Sequence, residues 1–218
     1  MKRTFFAAVM VFSILSLTAC GHDHNNSTQI ISTSILSDPA FDGDIAVDTV
    51  GTTTITQGNT LSVFAGIDPA TTVEYRAFLD FPLTGPGGVP GNAVIDSAFL
   101  DIVITNAFLQ SPGNTIPIRI ELVSFQPPTL VGTDFDRTQQ PALLFTTIVP
   151  PISSADVGNH VTVDVTNLMA EAQRLGLPDF QIRILEDLVA APPGLIEITD
   201  TTGVNRNVLA PLLQVNYF

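Results

Sequence analysis

The chain has 218 residues with 8 Lys+Arg against 21 Asp+Glu, a net charge of −13, and a single cysteine. Such an acidic surface repels phosphate backbones and anionic headgroups, so nucleic acid is excluded as a natural partner. Lysine occurs only at Lys2 and cysteine only at Cys20, which removes Schiff-base and phosphate-loop chemistry, internal disulfides and cysteine metal knuckles from the body.

Met1-Lys2-Arg3 is a positive n-region, and Phe5 to Leu17 is an apolar run. About a dozen apolar residues fall short of the roughly 20 that span a bilayer but suit a secretory leader. Leu17-Thr18-Ala19-Cys20 resembles the lipobox of bacterial lipoproteins. That resemblance implies cleavage after residue 19, acylation of Cys20 and anchorage in a membrane through its lipid. Gly21 after the cysteine implies sorting to the outer membrane, with either face open. Residues 20–37 read as a polar, flexible tether. His22-Asp23-His24 offers metal ligands, but two imidazoles on a flexible linker read better as solvated linker.

Residues 38–218 read as one domain, a length able to bury its own core. Short apolar alternations separated by turn clusters are the strand signature. Strands are predicted around 44–50, 52–56 and 60–65, then at 73–81, where Val73, Tyr75, Ala77, Leu79 and Phe81 alternate with Glu74, Arg76, Phe78 and Asp80. Others follow around 94–105, 116–123, 142–149, 161–165, 179–185, 194–199 and 213–217. Gly85-Pro86-Gly87-Gly88, Ser111-Pro112-Gly113-Asn114 and Ala191-Pro192-Pro193-Gly194 supply turns. One helix is predicted from about Leu168 to Leu175, capped by Thr166-Asn167 and stopped by Gly176. The expected fold is all-β, a jelly-roll-like antiparallel β-sandwich with one short helix.

Four segments carry a likeness to a known family. Glu74 to Leu83 resembles a strand in which an aromatic-Arg pair precedes a Phe-Asp-Leu-like ending, and Val94 to Ile102 an I-x-S-A-x-L-x-L strand. Val161 to Thr166 resembles a V-D-V-T helix entry, and Ala210 to Tyr217 a terminal R-P-x-L-x-V-x-Y strand. In this order they resemble the DNRLRE-type bacterial β-sandwich, a relative of carbohydrate-binding module family 96, over roughly residues 42–218. The resemblance implies a sandwich that binds polysaccharide or matrix and supplies no catalysis itself. Two departures weaken transfer of sugar binding: only Arg206 matches the namesake segment well, and the chain has no tryptophan.

Arg76 and Arg206 read first as structural arginines that pair with carboxylates, Asp80 or Asp96 for Arg76, and second as ligand contacts. Phe78 and Phe99, with Arg76, Asp80 and Asp101 as strand neighbours, are candidate stacking platforms. They are equally well explained as a face that a second sheet or the helix covers. Asp42-Gly43-Asp44 and Asp134-Phe135-Asp136 offer oxygen ligands of the kind calcium takes; solvated acidic turns are the competing reading. His160, the only imidazole in the body, shares a strand face with Thr162 and Asp164. It lacks any G-x-S-x-G turn to bring it a nucleophile. The expected function is a non-catalytic envelope lipoprotein that binds polysaccharide or matrix. The alternative is a structural or assembly protein docking another envelope or extracellular protein through apolar strand faces.

Overall fold

The computed structural model describes residues 29–125, 128–187 and 192–218. The leader, Cys20 and most of the expected tether therefore lie outside the described residues. Twelve strands follow in chain order: β1 (Ile31–Leu36), β2 (Gly43–Val47), β3 (Thr53–Gln57), β4 (Ser62–Ile67), β5 (Glu74–Pro82) and β6 (Ile95–Leu109). After them come β7 (Ile118–Val123), β8 (Leu144–Thr147), β9 (His160–Asp164), β10 (Asp179–Glu186), β11 (Gly194–Thr199) and β12 (Leu212–Tyr217). Helix α1 (Thr166–Arg174) follows β9, and a four-residue turn of helix, α2 (Arg206–Leu209), precedes β12.

Every strand pairing is antiparallel, and the sheet curls into an all-β sandwich. One layer is β1-β12-β6 with β9 also on β6; the other runs β11-β4-β5-β10-β7-β8, with β2 on β5 and β3 on β2. Strand β6 belongs to both. Residues 95–101 pair with β12 and residues 104–109 with β11, where a register shift at Glu197/Ile198 marks an irregularity. Such irregularities bend strands and raise local twist, which lets one 15-residue strand turn the corner between layers.

Strand periodicity decides what is buried. Ala77, Leu79 and Phe81 of β5 point inward with Ile118, Ile120 and Leu122 of β7 and Phe180, Ile182 and Ile184 of β10. Ala98, Leu100, Ile102, Leu213 and Val215 meet them from the other layer, and Leu168, Met169 and Ala172 of α1 close the same core. Helix α1 starts where Asp164 accepts a hydrogen bond from the Thr166 amide at 2.9 Å. It ends at Gly176, whose φ of +66° suits a residue without a side chain. The residue preceding the helix is Val165, which has no side-chain cap, so the expected Thr166-Asn167 cap falls inside the first turn.

One segment departs from expectation. Residues 31–36, read from sequence as tether, form β1 and pair with β12 from Ile31↔Tyr217 to Leu36↔Leu212. The sandwich therefore begins seven residues before the expected boundary at 38. Five of its six side chains are at least partly exposed and only Ile35 enters the core, so its apolar signal is faint. Its attachment is mainly backbone pairing.

Candidate functional site

Of the four side chains expected to contact a ligand, three are committed to the fold. Arg76 is almost buried, donates to Glu74 Oε1 from Nε (2.8 Å) and Nη2 (2.7 Å), and donates to the Phe135 carbonyl. Its guanidinium also lies 3.9 Å from the centroid of the Phe135 ring. It ties the 132–135 turn to β5, with Glu74 rather than Asp80 or Asp96 as its acid. Phe78 does face away from the main core. Ile45, Val123, Phe125 and Leu130 cover it, leaving it 0% exposed and edge-on to Phe125 at 5.8 Å. It is a second small core under a crossing segment and no stacking platform. Arg206 donates to the carbonyls of Ser37 and of Thr201 (3.2 Å), which fastens the chain before β12 to the end of β1.

Sequence reading missed the hub that holds the crossing segment. Glu121, 0% exposed, receives Arg183 Nε at 2.9 Å and Nη2 at 2.6 Å on Oε2. Arg119 Nε (2.9 Å) and Arg137 Nη2 (2.8 Å) approach Oε1. Arg183 also donates to the carbonyls of Asp134 (2.7 Å) and Gln140 (2.9 Å). The available signal was the alternation of Arg119 and Glu121 on one face of β7, in a chain with few cations.

Phe99 is placed differently. It sits on the outer face of the first layer, opposite Gln214 of β12 and Asp164 of β9, with Ser97 and Asp101 beside it on its own strand. It is half-buried. Its surroundings are hydrogen-bonding groups: Asn216 Nδ2 donates to Ser97 Oγ at 2.9 Å, and Ser32 Oγ donates to Asn216 Oδ1. His160 Nδ1 is 2.8 Å from Asp101 Oδ2. Among the described residues no serine or threonine hydroxyl is hydrogen-bonded to the imidazole.

This face runs into a polar cleft of about 450 Å³ between the start of β6, the N-terminus of α1 and the β8 edge. Asp96, Ser97, Asp164 and Asn167 line one side, Phe145 and Thr146 the other. The volume lies within the roughly 300–1,000 Å³ of ligand clefts. Hydrogen bonds from the Thr166 side chain and amide hold the Asp164 carboxyl below its ordinary pKa, so it presents charge at neutral pH. Phe145 is 51% exposed, and the Arg119 guanidinium lies 3.5 Å from its ring centroid. Carboxylates, an amide and hydroxyls form a set that hydrogen-bonds hydroxyl groups, and Phe99 on the adjoining face offers an apolar ring beside them.

The acids expected to hold calcium are engaged separately by their own neighbours. Asp134 caps its own turn by accepting from the Val131 amide (2.8 Å). Asp136 accepts from Thr138 N and Oγ1 and from Gln139 Nε2. These bonds, the Gln139 side chain first, hold the Asp136 pKa down to about 2. Asp44 accepts from the Phe64 amide at 3.2 Å, and burial raises its pKa to about 6. Asp42 is fully buried beside Asp200 instead of Asp44. Among the described residues no three His, Cys, Asp or Glu side chains are grouped to hold a metal.

No family model matches the chain, and no curated protein matches it.

Proposed function

We propose that the protein is a non-catalytic outer-membrane lipoprotein, anchored through an acylated Cys20, whose sandwich binds polysaccharide or matrix. What carries the reading is the outer face of the β1-β12-β6-β9 layer. Phe99 stands there among Ser97, Asp101, Asp164 and Gln214, and the face continues into the cleft of Asp96, Asn167 and Phe145. Polar groups that fix hydroxyls around an apolar ring suit a sugar better than an apolar small molecule. The likeness to DNRLRE-type sandwiches adds to the same reading. The test is a glycan array probed with the chain from residue 29 onward. Retention of a glycan by the native protein and its loss in Phe99→Ala supports the reading.

A second reading rests on the β8 edge. Among the described residues strand β8 pairs only with β7, and Leu143, Leu144, Phe145 and Val149 are all exposed there, Val149 at 82%. Exposed apolar side chains along an open edge suit a protein partner. Silence on the array, with loss of a co-purifying envelope protein on Leu144→Asp, would favour this docking role.

A further inference from the structure

Two acids from opposite ends of the chain are buried together at the inner end of β1. Asp42 precedes β2 and Asp200 follows β11; both are 0% exposed. The Asp80 amide donates to Asp42 Oδ1 at 2.8 Å, and Thr60 Oγ1 donates to Asp200 Oδ2 at 2.9 Å. No well-formed hydrogen bond reaches Asp42 Oδ2, Asp200 Oδ1 or the buried Ser37 Oγ, although the Ser37 hydroxyl lies against the Asp42 carboxyl and the two carboxyls against each other. Among the described residues the one cation facing them is Arg206, whose Nη1 stays 3.7 Å from Asp200 Oδ1 while its hydrogen bonds go to the carbonyls of Ser37 and Thr201. The nearby acids add no positive charge. Asp80 accepts from Gln181 Nε2 at 2.7 Å, and Asp38 accepts from the Ala40 amide.

The charge balance is therefore one short. Two ionised carboxylates would carry −2 against a single guanidinium, in a site closed to water, where like charges in contact cannot both persist. A divalent metal fits poorly, since three oxygens are too few and a guanidinium already faces the Asp200 oxygen. One proton supplies the missing charge and a donor between the two carboxyls, which the neutral Ser37 hydroxyl beside Asp42 can supplement but whose charge it cannot replace. We propose that Asp42 and Asp200 hold one proton between them at neutral pH, and that this bond clasps the β1–β2 junction to the β11–α2 turn. Burial, and then the charge of Asp200, raise the Asp42 pKa to about 9; burial raises that of Asp200 as well.

The sign follows from proton linkage. The folded pair keeps a proton that the unfolded chain releases above about pH 4, so this contribution to stability is complete at low pH. It then declines until the pair ionises near pH 9. The folding equilibrium constant should fall by up to tenfold per pH unit from this pair across that window.

The direct test is carboxyl-carbon NMR of the full aspartate-labelled chain in detergent at pH 8. One aspartic acid should remain protonated there and disappear from the spectrum in Asp42→Asn. That variant should fold, because its amide donates to Asp200 where the shared proton does. Its denaturation midpoint should lose the part of the pH dependence that lies between pH 7 and 9. Titration of every aspartate below pH 7 would overturn the proposal. So would a large rise in wild-type melting temperature with millimolar calcium that Asp42→Asn abolishes, since a cation would then fill the site.

Discussion

Replacing Glu121 with Gln tests whether the buried hub organises the outer side of the second layer. The substitution keeps volume and removes the one negative charge that Arg119, Arg137 and Arg183 approach at 2.6–2.9 Å. Arg183 is 0% exposed, so its guanidinium would be left buried without a counter-charge, alongside two repelling cations. Breaking a buried pair from one side costs about 3–5 kcal/mol. Arg137, whose side chain is 43% exposed, can turn to water and adds little to that figure. For a domain of this size a loss of 3 kcal/mol lowers the melting temperature by about 6–12 °C. Urea denaturation of wild type, Glu121→Gln, Arg183→Met and the double variant would measure both the loss and the coupling. The double variant should be less destabilised than the two single losses summed, because it removes the stranded charge. A loss below about 1 kcal/mol in Glu121→Gln, or simple additivity, would refute the reasoning.

Other expectations concern the ends of the domain and its acids. Deleting residues 1–28 should leave the melting temperature unchanged. Deleting residues 1–36 should lower stability by about 1.5–3 kcal/mol or more, from the lost burial of Ile35 and the exposed β12 edge; equal melting of the two would make β1 dispensable. Cys20→Ser should move the protein from the membrane to the soluble fraction, because lipid anchoring comes at about 0.8 kcal/mol per buried methylene; unchanged fractionation without an acyl mass would refute the anchor. Burial, the first cause in each, raises Asp44 and Asp80 to about 6 and Glu186 to about 7. Their stabilising effect is complete at acid pH and is lost as pH rises through 6–7. The melting temperature of Glu186→Gln should therefore vary less between pH 5 and 7.5 than that of wild type, and parallel curves would contradict this.

The sequence made most strands legible because burial on one face forces a period of two. Residues 194–199 were bounded as they occur, and β5 and β10 to within a residue or two at either end. β1 escaped because Ile31-Ser32-Thr33-Ser34-Ile35 buries a single side chain, leaving serine and threonine to dominate the signal. Phe78 occupies the side of the 73–81 alternation that faces away from the main core. Its burial depends on the long excursion between β7 and β8, whose path no local pattern encodes. Distant pairing also hid the acid and arginine clusters. Asp200 meets Thr60 across a separation of 140 residues and Arg183 meets Glu121 across 62, and composition alone makes chance acid pairs expected. Phe99 was legible as an outward aromatic. The cleft beside it was not, since Asp96, Asn167 and Phe145 come from three separate elements.

The measurement that bears most directly on the central claim is equilibrium glycan binding by the chain from residue 29, compared between wild type, Phe99→Ala and Asn167→Ala. The account predicts that a polysaccharide retained by wild type binds at least about tenfold more weakly to Phe99→Ala, a loss of about 1.4 kcal/mol, with unchanged melting temperatures. Asn167→Ala should weaken the same ligand. Equal binding by all three proteins, or no glycan retained by any of them, would contradict it.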